Sequence, residues 1–155
     1  MDGWGAEVGV PCECGATAAQ GVGQSVRDGR LCWDADVWCP ACERSLCLDY
    51  GHEDAPAWVR GPLLERHGPV RVRLTGPAGA GRVAVLRVVR AAWPVTLPQA
   101  ADLARRLAAD GLAGTPAEAA WLCGRLTERG VAAETLPGPA GLAGLAADWP
   151  WTLNA

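Results

Sequence analysis

Two short cysteine pairs are the residues of this chain best suited to chemistry. They occur as Cys12-Glu13-Cys14-Gly15 and Cys39-Pro40-Ala41-Cys42, with 24 residues between the inner two cysteines. Zn²⁺ favours four soft ligands in a tetrahedron, and thiolate pairs on two tight turns supply them with little additional loop closure. The predicted zinc ligands are Cys12, Cys14, Cys39 and Cys42.

The ligand set has alternatives, because a Cys-x-Cys pair is less usual than a Cys-x-x-Cys pair. Cys32, Cys47 and His52 lie in the same part of the sequence and are the reserve ligands. Cys123 stands apart, next to Leu122 on a predicted helix. We expect it to be a small buried hydrophobic residue.

A site closed by four thiolates leaves no coordination position for water, so the predicted zinc is structural and stabilises a half of the chain too small to fold alone. A redox-active dithiol is the competing interpretation. The only histidines are His52 and His67, and no His-Glu metal motif or Ser/His/Asp combination is apparent. We therefore expect a protein that is not an enzyme. An enzyme or an accessory subunit of one is the less favoured alternative.

The residues around the cysteines have the pattern of short strands. Leu31 to Cys39 alternates apolar and polar side chains, and Leu46, Leu48 and Tyr50 alternate in the same way. Strands beside cysteine-rich turns predict a small antiparallel β-ribbon. Residues 1–54 are thus predicted to form a zinc-ribbon-like module.

The two halves of the chain differ in net charge. Residues 1–60 carry ten acidic side chains and four arginines, a net charge of −6, and residues 61–155 carry seven and ten, a net charge of +3. Nucleic-acid binders generally present basic surfaces, but the cysteine-containing half is acidic. This disfavours nucleic acid as a partner, and a nucleic-acid- or ribosome-associated zinc-ribbon factor remains the alternative function.

The first ten residues contain no basic region followed by an apolar one, as a signal peptide would. No run is long enough to span a bilayer. We therefore expect a cytoplasmic protein, without a membrane partner, whose cysteines are thiols or metal thiolates.

The second half predicts the element order strand, helix, helix, helix, strand. Val70 to Thr75 alternates as a strand, a Gly-rich loop covers residues 76–81, and a helix runs from Arg82 to about Ala92 before Pro94. Two further helix starts carry the capping-box pattern, Thr96 with Gln99 and Thr115 with Glu118. The last helix is expected to reach Arg129, before Gly130 and a strand over residues 131–136. Residues 55–69 are predicted to be a connector with one or two helical turns.

On a helical wheel, the Arg82–Arg90 segment has two unequal faces. The face predicted to enter the core contains Ala84, Val85, Val88 and Val89. The opposite face carries two aliphatic side chains among three arginines. It is either a solvated face with arginine stems covering stray aliphatics or a docking patch for an acidic partner.

This helix resembles the signature helix of the C-terminal domain of the bacterial large-subunit ribosomal stalk protein, with arginine at positions 82 and 87 where that family has lysine. The resemblance extends over about residues 70–136. It implies a compact β-α-α-α-β domain over 70–137, of a fold similar to that of the protease adaptor that delivers N-degron substrates. In the stalk family this helix face recruits translational GTPases. The residues carried over to the partner-binding surface are Arg82, Val83, Leu86, Arg87 and Arg90.

Two features depart from the stalk family. Its lysine-rich second helix start is replaced here by residues 94–101, and its dimerisation segment and hinge are replaced by the cysteine module. We therefore expect an α+β adaptor rather than the stalk itself, with a structural zinc site and a protein partner. The tail, residues 138–155, contains Trp149-Pro150-Trp151 near its end. It is either a docking peptide or a segment whose tryptophans fold back on their own protein.

Overall fold

The computed structural model describes residues 3–52 and 55–138. The chain divides between His67 and Gly68 into two units. Both helices and antiparallel sheets are present, which confirms the predicted α+β class. The predicted tail lies outside the described residues, apart from Gly138.

The first unit contains a four-stranded antiparallel sheet in the order β1-β2-β3-β4. The strands are β1 (Gly3–Pro11), β2 (Thr17–Arg27), β3 (Arg30–Trp38) and β4 (Ser45–His52). β3 and β4 are the two strands that the sequence predicts. The predicted ribbon lacked β1 and β2, because glycines along both strands weaken the β pattern.

A helix, α1 (Ala57–His67), packs on one face of this sheet, mainly on β1 and β2, and leaves β4 exposed. Val59 and Leu63, one helical turn apart, are fully buried and pack with Val22, Trp33 and Ala35. The His67 imidazole also hydrogen-bonds the Gly5 carbonyl oxygen of β1, at 2.8 Å. Most of the stretch predicted as a connector is therefore a helix of the first unit. Pro62 lies inside α1, where a proline usually ends a helix.

The second unit has the order strand, helix, helix, strand, helix, strand. Its elements are β5 (Val70–Leu74), α2 (Arg82–Ala92), α3 (Leu97–Ala108), β6 (Leu112–Gly114), α4 (Pro116–Thr127) and β7 (Ala133–Pro137). The strands form an antiparallel sheet in the order β6-β5-β7. The predicted β-α-α-α-β order is corrected by β6, whose three buried residues are too few to show a period.

In the second unit, α2 packs on α3 and α4, and α3 and α4 pack on the sheet. The predicted core face of α2 is confirmed at Val85, Val88 and Val89, while Ala84 is only partly buried. Leu107 of α3 and Leu122 of α4 are completely buried. The described part of the chain contains no helix that is long and apolar enough to cross a bilayer.

Both predicted capping boxes are present. Thr96 and Thr115 each accept a hydrogen bond from the backbone amide three residues later, and Gln99 and Glu118 accept one in return from the capping residue's amide. The box at Thr115 is buried, whereas the one at Thr96 is exposed. The same motif thus occurs in two environments within one unit.

We expect Thr115→Ala to lower the free energy of unfolding of the second unit by about 1–2 kcal/mol, because a buried amide loses its acceptor. The matched change Thr96→Ala should cost about 0.5–1 kcal/mol, since water can replace the hydroxyl there. Urea unfolding followed by far-UV circular dichroism measures both. Equal losses would show that burial of the cap adds nothing.

Candidate metal centre and the α2 surface

The four predicted ligands lie on two turns at the same end of the first sheet. Cys12 and Cys14 occupy the β1–β2 turn, and Cys39 and Cys42 occupy the β3–β4 turn. The first turn is closed by the Cys12 amide bonding the Ala16 carbonyl oxygen at 2.8 Å. Because the strands are antiparallel and adjacent in the sheet, alternate turns meet at one end. The topology therefore brings the two cysteine pairs together.

The sulfur positions fit one tetrahedral ion. All four Sγ atoms lie within 4.8 Å of one another, with Cys12–Cys42 at 3.8 Å and Cys14–Cys39 at 3.7 Å. A tetrahedral ion with sulfur at about 2.3 Å holds its ligands about 3.8 Å apart. A disulfide would require about 2.05 Å. The predicted ligand set can hold a metal ion, and none of the reserve ligands is needed.

Backbone amides prepare one ligand for the thiolate form. Hydrogen bonds from the amides of Cys42 and Ala41 outweigh desolvation and lower the pKa of Cys39 to about 7. The Ala16 amide also lowers the pKa of Cys14, but the neighbouring thiols and desolvation together raise it to about 11. In the metal-free cluster, Cys39 therefore loses its proton more readily than Cys14, and metal binding releases the protons that remain on the thiols.

A charged pair connects the two turns beside the cluster. Arg44 of the second turn donates to the Glu13 carboxylate of the first. The pKa of the Arg44 guanidinium is raised first by Glu13 and further by the charges of Cys12 and Cys42. Four thiolates around a divalent cation leave a net charge of −2, which the guanidinium partly offsets. The cysteine spacing gave no indication of this pair.

The other cysteines lie elsewhere. Cys32 lies in β3, seven residues before Cys39, a separation of about 23 Å at the usual rise of a strand. Its sulfur lies 3.3 Å from His52 Nδ1. Cys47 of β4 is exposed, with its sulfur 3.9 Å from the Ala35 carbonyl oxygen. Cys123 is only partly buried, and burial raises the pKa of its thiol.

The structure places the predicted partner-binding residues on the outward side of α2. Arg82, Arg87 and Arg90 are exposed. Val83 is 62% exposed, but Leu86 is partly buried, so the face has one exposed aliphatic side chain instead of the predicted two. No ion pair involves these arginines within residues 3–52 and 55–138. Arg73 and Arg105, by contrast, each contact a carboxylate at 2.8 Å.

Comparisons with protein-family models, with curated proteins and with solved structures give no match to this chain. The function of the cysteine cluster and of the α2 surface is therefore inferred from their geometry and chemistry.

Replacing one metal ligand should unfold the first unit and leave the second unit folded. We expect Cys39→Ser to abolish stoichiometric metal binding and to remove hydrogen-exchange protection from peptides of residues 3–52, because metal binding and folding are coupled at such a site. Peptides of residues 70–137 should keep their protection. The control Cys47→Ser changes an exposed cysteine of the same sheet outside the cluster and should leave metal content and exchange unchanged. Full protection of residues 3–52 in Cys39→Ser would contradict a structural role for the cluster.

Proposed function

We propose that this protein is a non-catalytic adaptor, in which a structural zinc ion stabilises the first unit and the outward face of α2 binds an acidic partner protein. The observation that carries the proposal is Val83, a solvent-exposed aliphatic side chain among three arginines without carboxylate partners in the described residues. Partner binding would desolvate Val83 and give those arginines their counter-charges.

Zinc is the metal that best suits the first unit. Four thiolates are soft ligands, and tetrahedral four-sulfur sites are typical of Zn²⁺ or iron. Structural zinc sites commonly use ligand pairs on two tight turns, which is the arrangement of these four cysteines. All four positions of such an ion would be filled by protein, so no water is available for activation. This favours a role in folding over a role in catalysis.

The way α2 begins supports a binding role for its surface. α3 and α4 both start with a complete capping box, but α2 starts at Gly81, in the left-handed conformation with φ of 68°, without a side-chain cap. Arg82 then places a cation at the positive end of the helix dipole, and the first turn contains no acidic residue. Local rules broken without a compensating contact are typical of functional surfaces.

The resemblance of residues 70–136 to the stalk C-terminal domain agrees with this proposal, because in that family the same helix face binds proteins. Translational GTPases are accordingly one candidate class of partner. The arginines attract an acidic surface over several ångströms, while Val83 and the partly buried Leu86 contribute short-range apolar contact.

We expect about one zinc ion per chain in protein purified without added metal. The measurement is elemental analysis by mass spectrometry, with iron measured in the same sample. Chelation should unfold the first unit, since zinc binding supplies part of its folding free energy. A chain that contains iron, or none of either metal while fully folded, contradicts the zinc proposal.

Arg82→Glu should have opposite effects on stability and on binding. A carboxylate at the start of α2 suits the helix dipole, so the free energy of unfolding of the second unit should rise by about 0.3–1 kcal/mol. Partner binding should nevertheless weaken, mainly through slower association at low salt. Quantitative mass spectrometry of proteins captured from the native cell, compared with wild type, measures the loss.

Arg129→Glu is the matched control, because Arg129 is also exposed and follows α4 rather than lying on α2. It makes the same charge change and should leave capture unaltered. Val83→Asp should remove the same captured proteins as Arg82→Glu. If capture is unchanged in Arg82→Glu and Val83→Asp, the α2 surface is only a solvated face.

A further inference from the structure

The first sheet contains a second group of chemically capable side chains, separate from the metal turns. Cys32 of β3 and His52 of β4 are directly opposite each other in the antiparallel register. Their sulfur and Nδ1 atoms are 3.3 Å apart, within hydrogen-bonding distance. Cys32 is partly buried and His52 is exposed. We propose that this pair is a thiol modification site that reacts with small soft electrophiles, low-molecular-weight disulfides in particular.

The imidazole is the better of two partners for the Cys32 thiol. The Arg30 carbonyl oxygen lies 3.8 Å from the sulfur, farther than the histidine nitrogen. A carbonyl oxygen can only accept the thiol hydrogen, whereas a neutral imidazole can take the proton itself and leave a thiolate. The thiolate is the form of cysteine that attacks electrophiles.

A buried hydroxyl on the neighbouring strand completes the site. Ser25 of β2 is directly opposite Cys32, so the two side chains share a face of the sheet with β-carbons about 5 Å apart. Ser25 is 5% exposed, and its Oγ atom is buried without a hydrogen-bond partner. A buried hydroxyl without a partner is costly, and a sulfur anion beside it would offer an acceptor. The Ser25 hydroxyl does not bond the Cys32 thiol in this structure, but with the β-carbons this close a side-chain rotation can bring it to the sulfur once that is a thiolate.

The reaction with a disulfide balances without any other reactant. The Cys32 proton moves to His52, and the thiolate attacks one sulfur of the disulfide. A new sulfur–sulfur bond forms as the original one breaks, and the leaving thiolate takes the proton from the imidazolium. The Cys32 sulfur is oxidised to a mixed disulfide, and the departing half of the reagent is reduced to a thiol. With an alkyl iodide, a carbon–sulfur bond forms as the carbon–iodine bond breaks, iodide leaves, and the imidazolium releases its proton to water.

Cys47 is the internal control for the test. Solvent accessibility alone predicts that Cys47 reacts faster than Cys32, whereas activation by His52 predicts that Cys32 reacts faster. Cys47 is on the same sheet and is more exposed than Cys32, but its sulfur contacts a carbonyl oxygen instead of an imidazole. Metal-loaded full-length protein is treated with limiting iodoacetamide at one fixed pH, and peptide mapping follows each cysteine. We expect Cys32 to be alkylated about tenfold faster than Cys47. Alkylation of Cys47 at an equal or higher rate would overturn the proposal.

Two variants test the roles of the neighbours. His52→Gln should lower the Cys32 rate to that of Cys47 or below, and Ser25→Ala should lower it about threefold. In both variants, unchanged metal content and unchanged rates at Cys47 and Cys123 report an intact fold. An unaltered Cys32 rate in His52→Gln refutes activation by the imidazole. If the variant disturbs the fold, the wild-type order of Cys32 and Cys47 still decides the proposal.

The class of reagent is tested separately with oxidised glutathione. We expect a mixed disulfide at Cys32 before any at Cys47, removable by dithiothreitol. Fast alkylation of Cys32 without preferential disulfide formation would exclude small disulfides as its reagents.

Discussion

The first unit depends on holding two hairpin turns together at one end of a sheet. Four sulfurs within 4.8 Å of one another require a counter-charge at their centre once they are thiolates, and a divalent metal ion held there would supply it. Apolar burial contributes less, because in the described residues the short helix α1 packs on only part of one face of the sheet. A unit with so small an apolar core needs additional stabilisation, and metal–thiolate bonds at the two turns would provide it.

The second unit is stabilised by different means. Its helices contain fully buried aliphatic residues such as Leu103, Leu107 and Leu126, and two of them begin with complete caps. α2 is the exception, since an uncapped start and an N-terminal arginine accompany its exposed valine. Of the three helices described in this unit, α2 therefore gives up local stability, and it carries three exposed arginines without carboxylate partners in the described residues. The contrast lies within a single fold, so a general feature of composition does not explain it.

The sequence predicted the elements whose signals are local. The cysteine pairs, both capping boxes and the core face of α2 follow from short spacings, and the structure contains all of them. It did not predict β6, which is defined by pairing with β5, and it predicted only one or two turns of α1, whose Gly61-Pro62 dipeptide has the pattern of a break. It also could not show that Cys32 faces His52. Those residues are twenty positions apart, and only the register of β3 and β4 makes them neighbours.

The packing of α1 determines which segment of the chain could be moved into another protein as a folded unit. A fragment ending at residue 54 would keep every cysteine of the cluster but would leave Val22 and Ala35 uncovered, because Val59 and Leu63 pack against them. Such a fragment would load metal and still associate through its bare sheet face. Recombination between proteins, natural or designed, should therefore cut after His67, where the helix has closed the core.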